Sequence, residues 1–308
     1  MSESGAISPT VDSTVNPVVL PRDPGVFAIR ECRHGVMAYL RADVTIGRAL
    51  DLYGEFAESE NRLMRAFLKP GDTALDVGAN VGTVALALAR AVGSAGRVIA
   101  FEPQRLVFQA LCATLTMNGL IHVEARRQAV GRVSGTIRIP AIDPNVEQNL
   151  GSVRIDDAPS GPGAGAATAP ADAKSDLVPL VTIDELSLPA CALVKIDAEG
   201  MDYDVLLGAK ETIARARPVL YFEGHAGDAT ARAITFARDR KYRCHWHFAA
   251  FYEADSFRTA PNVFGSKGDV NVLAIPEEHA LGVTLPPVSA PDADWKRDYA
   301  RFLANRQA

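Results

Sequence analysis

The sequence has only four cysteines, and they are widely spaced: Cys32, Cys112, Cys191 and Cys244. None forms the C-x-x-C spacing of a zinc site, so we expect reduced thiols rather than disulfides or a metal centre. No apolar run approaches the roughly 20 residues of a membrane span. A formal net charge of -5 argues against non-specific binding to nucleic acid. These absences favour a globular, cytoplasmic protein with no membrane span and no nucleic-acid partner.

Strand-like and helix-like patterns alternate from residue 72 to residue 276, which predicts a mostly parallel sheet with helices on both faces. Residues 25–71 predict a hairpin that turns at His34-Gly35, followed by a helix with Ser59 as a possible N-cap. Both would pack on the core formed by the later residues.

Three segments fall outside this pattern. Residues 1–24 lack the basic start and apolar centre of a signal peptide and are interpreted as a disordered lead. Residues 156–176 are rich in alanine, glycine and proline, which predicts a flexible surface insertion, with an active-site lid as the alternative. Residues 277–308 are expected to form a tail that ends in a short helix.

The stretch TALDVGANVG, residues 73–82, predicts a buried strand, a turn with Gly78 and Gly82, and the start of a helix. Ligands of open parallel sheets bind at this end of the strands. Asn80 occupies the place of the second glycine in the dinucleotide pattern G-x-G-x-x-G, and no lysine follows Gly82 as in a phosphate loop. Both phosphate-binding interpretations therefore fit poorly.

Glu102 ends the next predicted strand, about twenty residues after Gly82. An acidic residue at this place accepts hydrogen bonds from ribose hydroxyls. The pattern therefore favours a nucleoside ligand without a required pyrophosphate, and S-adenosylmethionine fits. Gly78 would let the chain pass close to this ligand, and Asp76 would add negative charge near its cationic part.

Several ordered motifs resemble the FkbM family of S-adenosylmethionine-dependent methyltransferases. They are LDVGANVG, AFEPQ, VPLVTIDEL, ALVKIDAEGMDYDVLLGAKETI and the upstream IGRALDLYGEFAESE. The resemblance covers residues 35 to 276. It implies the α/β class I methyltransferase fold, which is Rossmann-like: a seven-stranded, mostly parallel sheet with helices on both faces and a reversed terminal strand.

The resemblance also implies roles for residues in the cofactor site. The first motif contributes Asp76, Gly78, Asn80 and Gly82, and Glu102 is the ribose-binding acid. Gln128 and Ala129 would flank adenine. Tyr53, Glu55 and Glu60 match the upstream element that often closes over the cofactor in this fold, although a capped surface helix explains them equally well.

Candidate catalytic residues follow two later strands. Asp197, in VKIDAEG, would lie beside the methyl group as a cofactor contact and as the base or a metal ligand. Glu199 would either touch the substrate or cap the next helix. Lys195 would either hold a carboxylate in place or form a structural ion pair. Asp197 and Glu223 could bind Mg²⁺ through their oxygens, but a metal is not expected.

Other polar residues are candidates for acceptor contacts. Glu223 and His225, in YFEGH, point toward the same crevice, and His247 is a candidate base on one strand face with His245. Half-exposed strand histidines are the alternative for that pair. Asn262 and Asn271 lie in a later stretch that could grip sugar hydroxyls. Asn149 is in a segment, NLGSV, that resembles another substrate-side element of the family.

The resemblance implies an O-methyltransferase that acts on a hydroxyl of a saccharide or another small molecule. Three alternatives stay open at this point: a cofactor-binding scaffold without catalysis, a methyltransferase of protein or nucleic acid, and an NAD-dependent enzyme. The acidic composition disfavours nucleic acid, and Asn80 disfavours NAD. The sequence does not reveal the oligomeric state.

Overall fold

The computed structural model describes residues 25–152, 175–225, 227–280 and 282–307. The predicted N-terminal lead lies outside these residues. So does the predicted insertion, apart from Ser175 and Asp176.

The described strands of the chain alternate in part with helices. They are β1 (Phe27–Cys32), β2 (Gly35–Leu40), β3 (Thr73–Val77), β4 (Arg97–Phe101), β5 (Val123–Arg126), β6 (Ala129–Val130), β7 (Gly135–Pro140), β8 (Ser175–Val181), β9 (Leu193–Ile196), β10 (Val219–Glu223), β11 (Tyr242–Ala250) and β12 (Gly268–Pro276). The helices are α1 (Ile46–Leu52), α2 (Glu58–Arg65), α3 (Thr83–Val92), α4 (Arg105–Met117), α5 (Asp202–Leu207), α6 (Lys210–Ala216), α7 (Asp228–Asp239) and α8 (Trp295–Gln307).

A seven-stranded sheet in the order β11-β12-β10-β9-β3-β4-β5 forms the centre of the fold. The five strands from β10 to β5 are parallel, and β12 runs antiparallel to both of its neighbours. The central strand β9 is buried along its whole length because helices cover both faces of the sheet. The predicted class I methyltransferase fold, with its reversed last strand, is confirmed.

Several local features differ from the expectation. The short strands β6, β7 and β8 form a second sheet in the order β6-β8-β7 that the sequence did not predict, and α1 was also missed. The N-cap of α2 is Ala57, in a left-handed conformation, rather than Ser59. Ser59 lies inside the helix, where its backbone N–H donates to Glu253 Oε1 at 2.8 Å. A tertiary contact therefore replaces the predicted side-chain cap.

The hairpin of β1 and β2 packs on α4. The backbone N–H of Val36 donates to Asn118 Oδ1 at 3.1 Å, and Asn118 Nδ2 donates back to the Val36 carbonyl at 2.6 Å. The N–H of Ala38 donates to Thr114 Oγ1 at 3.1 Å. Side chains of α4 thus satisfy backbone groups of β2 that no other strand pairs.

The C-terminal segment covers the outer edge of the main sheet. Trp246 N–H donates to the Pro286 carbonyl at 2.8 Å, and the Trp246 indole Nε1 donates to Asp298 Oδ2 at 2.9 Å. Trp295 stacks on Phe248 with ring centroids 5.6 Å apart. Helix α8, the helix expected at the C-terminus, therefore packs against β11. Within the described ranges, no helix has the length and apolar character needed to cross a bilayer.

We expect Asp298→Ala to lower the free energy of unfolding by about 1–3 kcal/mol, because it leaves the buried Trp246 N–H without its acceptor. Asn305→Ala, an exposed change on the same helix, is the control and should stay within about 0.5 kcal/mol of the parent protein. Urea unfolding followed by Trp fluorescence measures both. Equal stability of the two variants would show that the indole–carboxylate bond contributes nothing.

Candidate functional site

A cavity of about 640 Å³ opens at the carboxyl ends of the parallel strands. Its wall includes residues that follow β3, β4, β9 and β10, together with the first residues of β12, whose reversed direction brings its start to the same edge. The volume lies within the range of small-molecule sites, and the location is the one where open α/β sheets bind ligands.

The glycine turn after β3 forms one side of the cavity. Gly78 has a φ of +76°, and a Cβ on it would lie 1.8 Å from the Asp197 carbonyl oxygen. We expected Gly78 to make room for a ligand; the closest obstacle is instead the backbone at the end of β9. The turns after β3 and β9 therefore touch, and only glycine fits between them.

The backbone N–H groups of this turn already have partners. Those of Gly78 and Ala79 donate to the Phe101 carbonyl at 3.0 and 2.8 Å. The N–H of Asn80 donates to Glu102 Oε2 at 3.0 Å, and that of Val81 to Asn80 Oδ1 at 2.7 Å. A phosphate-binding loop needs N–H groups that point freely at the ligand. The turn consequently supports the interpretation that its ligand is not held through a pyrophosphate.

Glu102 is the acidic group nearest this turn. Its side chain is buried, and its two oxygens accept from the backbone N–H groups of Asn80 and Gln104 at 3.0 and 2.7 Å. Burial raises the pKa of Glu102 to about 7. Because an ionised carboxylate accepts about four hydrogen bonds, Glu102 retains capacity for two hydroxyl donors. Gln128 and Ala129 line the same part of the cavity.

Lys195 connects the two turns through a buried ammonium group. Its Nζ donates to the Gly78 carbonyl at 2.8 Å and lies 3.4 Å from Asp76 Oδ1 and 3.3 Å from Asp197 Oδ2. Although burial lowers it, the carboxylates of Asp197 and Asp76 raise the pKa of Lys195 above its ordinary value. Asp76 is fully buried beside Lys195 and is not part of the cavity wall. Its charge is directed at Lys195 rather than at a ligand.

The far side of the cavity carries the predicted carboxylates Asp197, Glu199 and Glu223. Burial, and then the charges of Asp197 and Glu223, raise the pKa of Glu199 to about 8. Burial also raises the pKa of Asp197, with Glu223 adding to the shift and Lys195 opposing it. Asp197 and Glu199 therefore hold a proton more strongly than an exposed carboxylate does.

His225 pairs with Glu223, with 3.1 Å between Nε2 and Oε1. This bond raises the pKa of His225 to about 9, so the imidazole is cationic at neutral pH and cannot accept a proton there. His225 therefore supplies positive charge beside Glu223 at the mouth of the cavity, where its side chain is 62% exposed.

His247 lies behind the cavity wall. Its Nδ1 is hydrogen-bonded to the Tyr221 hydroxyl at 2.7 Å, and Tyr221 also bonds to Glu60, whose Oε1 accepts from Asn271 Nδ2 at 2.7 Å. Burial lowers the pKa of His247 to about 4, below the near-neutral value that we expected. His247 is thus a neutral group that reaches the cavity only through Tyr221. His245 is also buried and its pKa is lowered by burial.

Most predicted site residues come together in this cavity. The wall includes the following of them: Glu60, Gly78, Asn80, Glu102, Gln128, Ala129, Asn149, Lys195, Asp197, Glu199, Glu223, His225 and Asn271. The described part of the cavity wall does not include the predicted residues Tyr53, Asp76, Gly82, His247 and Asn262.

Three of these outlying residues have structural partners instead. The Tyr53 hydroxyl donates to the Pro261 carbonyl at 2.9 Å, which ties α1 to the loop before β12. Asn262 Oδ1 accepts from the N–H groups of Phe264 and Gly265 at 2.9 Å, within its own loop. Gly82 has a φ of +96° and precedes α3 as its N-cap.

Three acidic residues of the wall were missed by sequence reasoning: Asp202, Asp269 and, farther out, Asp228. Asp202 begins α5, and Asp269 lies at the start of β12. Burial and the charge of Asp197 raise the pKa of Asp269 to about 7, and burial raises the pKa of Asp202 far above its ordinary value. A signal was present for Asp202, five residues after Asp197 in the same motif. In the described part of the chain, no group of these side chains is arranged to hold a metal ion.

A model of the FkbM methyltransferase domain matches residues 76–244, which is more than half of the chain. No curated protein matches the sequence.

Solved structures give distant matches. A methyltransferase FkbM from Methylobacillus flagellatus is 16% identical over 68% of this chain, with a TM-score of 0.42, and the chain spans only 47% of that protein. An S-adenosylmethionine-dependent O-methyltransferase from Thermotoga maritima is 12% identical over 83% of this chain and 80% of its own, with a TM-score of 0.37. A putative rRNA methylase from Clostridium thermocellum is 14% identical over 72% and 97%, with a TM-score of 0.41. The family match, and not these distant structures, assigns the protein: the chain belongs to the FkbM methyltransferase family.

Proposed function

We propose that the protein transfers a methyl group from S-adenosylmethionine to a hydroxyl oxygen of a saccharide or another small molecule. The observation that carries the proposal is one cavity whose wall includes both Glu102, the candidate ribose ligand after β4, and Asp197, which follows β9. Family membership supports the methyl transfer. The presence of these two carboxylates at different parts of one cavity wall supports its division into a cofactor part and an acceptor part.

The residues around the glycine turn fit the proposed cofactor. Glu102 keeps lone pairs for two ribose hydroxyls, and the satisfied N–H groups of the turn leave no cradle for a pyrophosphate. Phe101, Ala129 and Val130 add apolar surface to the same wall, which suits a purine ring. S-adenosylmethionine, when bound here, supplies the methyl group; the side chains bind and orient.

Asp197 is the proposed base for the acceptor hydroxyl. Its pKa is raised by burial, which makes the carboxylate a better proton acceptor than an exposed aspartate. Lys195, 3.3 Å away, holds the carboxylate in position and stabilises its ionised form. Asp197 would accept the proton of the acceptor hydroxyl, and S-adenosylmethionine would supply the methyl group and leave as S-adenosylhomocysteine. Positioning of the two reactants in the cavity contributes the rest of the rate enhancement.

The cavity also suits a small acceptor. Its volume of about 640 Å³ holds a cofactor and a sugar-sized group but not a folded macromolecule. Phe56 and Phe251, with ring centroids 4.9 Å apart, line the wall and present apolar surface of the kind that packs against a sugar ring.

Glu102→Ala should weaken the binding of S-adenosylhomocysteine about 10- to 100-fold, because charge-assisted hydrogen bonds to ribose contribute roughly 1.5–3 kcal/mol. Calorimetric titration measures the affinity. Glu124→Ala, an exposed carboxylate at the far edge of the sheet, is the matched control. Unchanged affinity in Glu102→Ala, or binding of NAD⁺ in place of S-adenosylhomocysteine, would contradict the cofactor assignment.

Asp197→Asn should retain S-adenosylhomocysteine binding within about threefold of the parent but lower the turnover number by about 10²–10⁴, the usual effect of removing a general base. Transfer of radiolabelled methyl to an acceptor found by screening glycosides measures the rate. Glu211→Gln, on the exposed face of α6, is the control. Full turnover by Asp197→Asn would remove this residue from the mechanism.

A further inference from the structure

One half of the cavity carries many more acids than bases. We define the acidic half by its six carboxylates: Glu60, Asp197, Glu199, Asp202, Glu223 and Asp269. The two cationic side chains beside them already have partners, since Lys195 lies between Asp76 and Asp197, and His225 pairs with Glu223. Asp228, farther out on the wall, pairs with Arg232.

Four carboxyl groups of the acidic half consequently have no cationic partner. In the described part of the chain, no lysine, arginine or histidine lies within ion-pair distance of Glu60, Glu199, Asp202 or Asp269. These groups come from α2, from the turn after β9, from α5 and from β12. They therefore converge from four parts of the chain on one space.

The acidic half is separate from the proposed cofactor position. Asp197 follows β9, Glu223 ends β10 and Asp269 begins β12, whereas Glu102 and Gln128 follow β4 and β5, on the other side of β3. The sheet order thus places these carboxyl groups where an acceptor enters rather than where the nucleoside lies. Asp197, at the end of β9, borders both parts.

Asp202 gives an independent sign that a polar ligand belongs here. Asp202 is buried, with an exposure of only 8%, and it forms part of the cavity wall. Its Oδ1 has no hydrogen-bond donor among the described residues. An unpartnered buried carboxylate oxygen costs about 1–3 kcal/mol or more, and a bound donor would remove that cost.

The aromatic pair of the wall has the matching chemistry. Phe56 and Phe251 line the same cavity, and Phe251 also contacts Phe264 edge-on, which fixes its ring. The faces of aromatic rings attract ammonium groups as well as the C–H surface of a sugar. Carboxylates and aromatic faces in one cavity are the usual elements of an ammonium site.

We infer that the acceptor carries a protonated amine beside the hydroxyl that is methylated, as an amino sugar does, with its ammonium group among Glu60, Glu199, Asp202 and Asp269. This inference rests on the proposed function and specifies its substrate class. The ammonium would donate to the carboxylates while the neighbouring hydroxyl faces Asp197. A neutral saccharide would leave these four acids without a cationic partner, and an anionic one would be repelled.

The test uses full-length protein saturated with S-adenosylhomocysteine. The probes are methyl glucoside and its 2-, 3- and 6-amino-deoxy derivatives, each amine also in N-acetylated form. We expect at least one ammonium form to bind ten times more tightly than both its N-acetyl form and methyl glucoside. Asp269→Asn and Glu199→Gln should each reduce this preference at least threefold, whereas Glu211→Gln, outside the cavity, should preserve it.

The pH dependence gives a second readout of the same complex. Burial and mutual repulsion raise the pKa values of Glu60 and Glu199 to about 8 and of Asp269 to about 7, so these groups lose their protons as the pH rises through 7–8. The neighbouring hydroxyl and acetal oxygens withdraw electrons and hold the pKa of a sugar amine below the value of about 10 for lysine, least in the 6-amino probe. Binding of the 6-amino glycoside should therefore strengthen between pH 6 and pH 8, with release of protons, while binding of its N-acetyl form stays constant over that range.

The outcomes separate the two proposals. Failure of S-adenosylhomocysteine to bind the parent protein contradicts the proposed function itself. Normal S-adenosylhomocysteine binding overturns only the amine inference if the neutral or N-acetylated glycosides bind as tightly as the amines, or if none of the amines binds measurably. A preference for ammonium that survives both Asp269→Asn and Glu199→Gln also overturns it, because the preference would then arise elsewhere.

Discussion

The contact between the turns after β3 and β9 fixes the geometry on which the rest of the site depends. Lys195, at the third position of β9, reaches across to the Gly78 carbonyl, and the Asp197 carbonyl occupies the space where any other residue at position 78 would place a Cβ. The turn after β3 therefore provides the carbonyl that accepts from the Lys195 ammonium, and the turn after β9 fills the space beside Gly78. The two halves of the cavity are held in a fixed relation, which in-line transfer between a donor and an acceptor requires.

The same ammonium group explains why a buried aspartate persists next to the turn. Asp76 has no exposed surface, and burial alone strongly disfavours its charge. Lys195 compensates that charge and, through Asp197, extends the network to the cavity wall. Removing the lysine would leave the buried Asp76, the partly exposed Asp197 and the Gly78 carbonyl without their common partner. The structural and positioning roles of Lys195 therefore both follow from one ammonium group with three partners.

The parts of the fold that could be predicted from the sequence are the ones with local signals. The strand, glycine turn and helix around Gly78, and the acidic residue that ends β4, each show in a short stretch of sequence, and the structure places both on one cavity. The second sheet was missed because β6 has only two residues, and its partner β8 follows after a long stretch that resembles a linker. Its pairing depends on distant chain segments rather than on periodicity.

The site shows the same division between local and tertiary information. Asp269 lies at the start of β12, and only the family resemblance, not the local sequence, indicated that the terminal strand is reversed and thus begins at the ligand edge. His247 has a strand pattern that fits a half-exposed residue, but α2 and Tyr221 bury it, and burial moves its pKa far from neutrality. Sequence spacing predicts which edge a residue approaches. It does not predict how many other acids reach that edge or how deeply a histidine is covered.

The acidic half has a thermodynamic consequence for the folded protein. An unfolded glutamate has a pKa of about 4.3, whereas Glu60 and Glu199 have pKa values of about 8 in the fold. The folded state therefore binds more protons between these values, and its stability falls as the pH rises from about 4 through 8. At neutral pH the carboxyl groups of Glu60 and Glu199 stay largely protonated, which avoids part of the free-energy cost of burying their charges. A ligand that brings its own positive charge reverses the balance, because it stabilises the ionised carboxylates that the empty fold disfavours. Binding of the proposed ammonium-bearing acceptor would therefore also stabilise the folded protein.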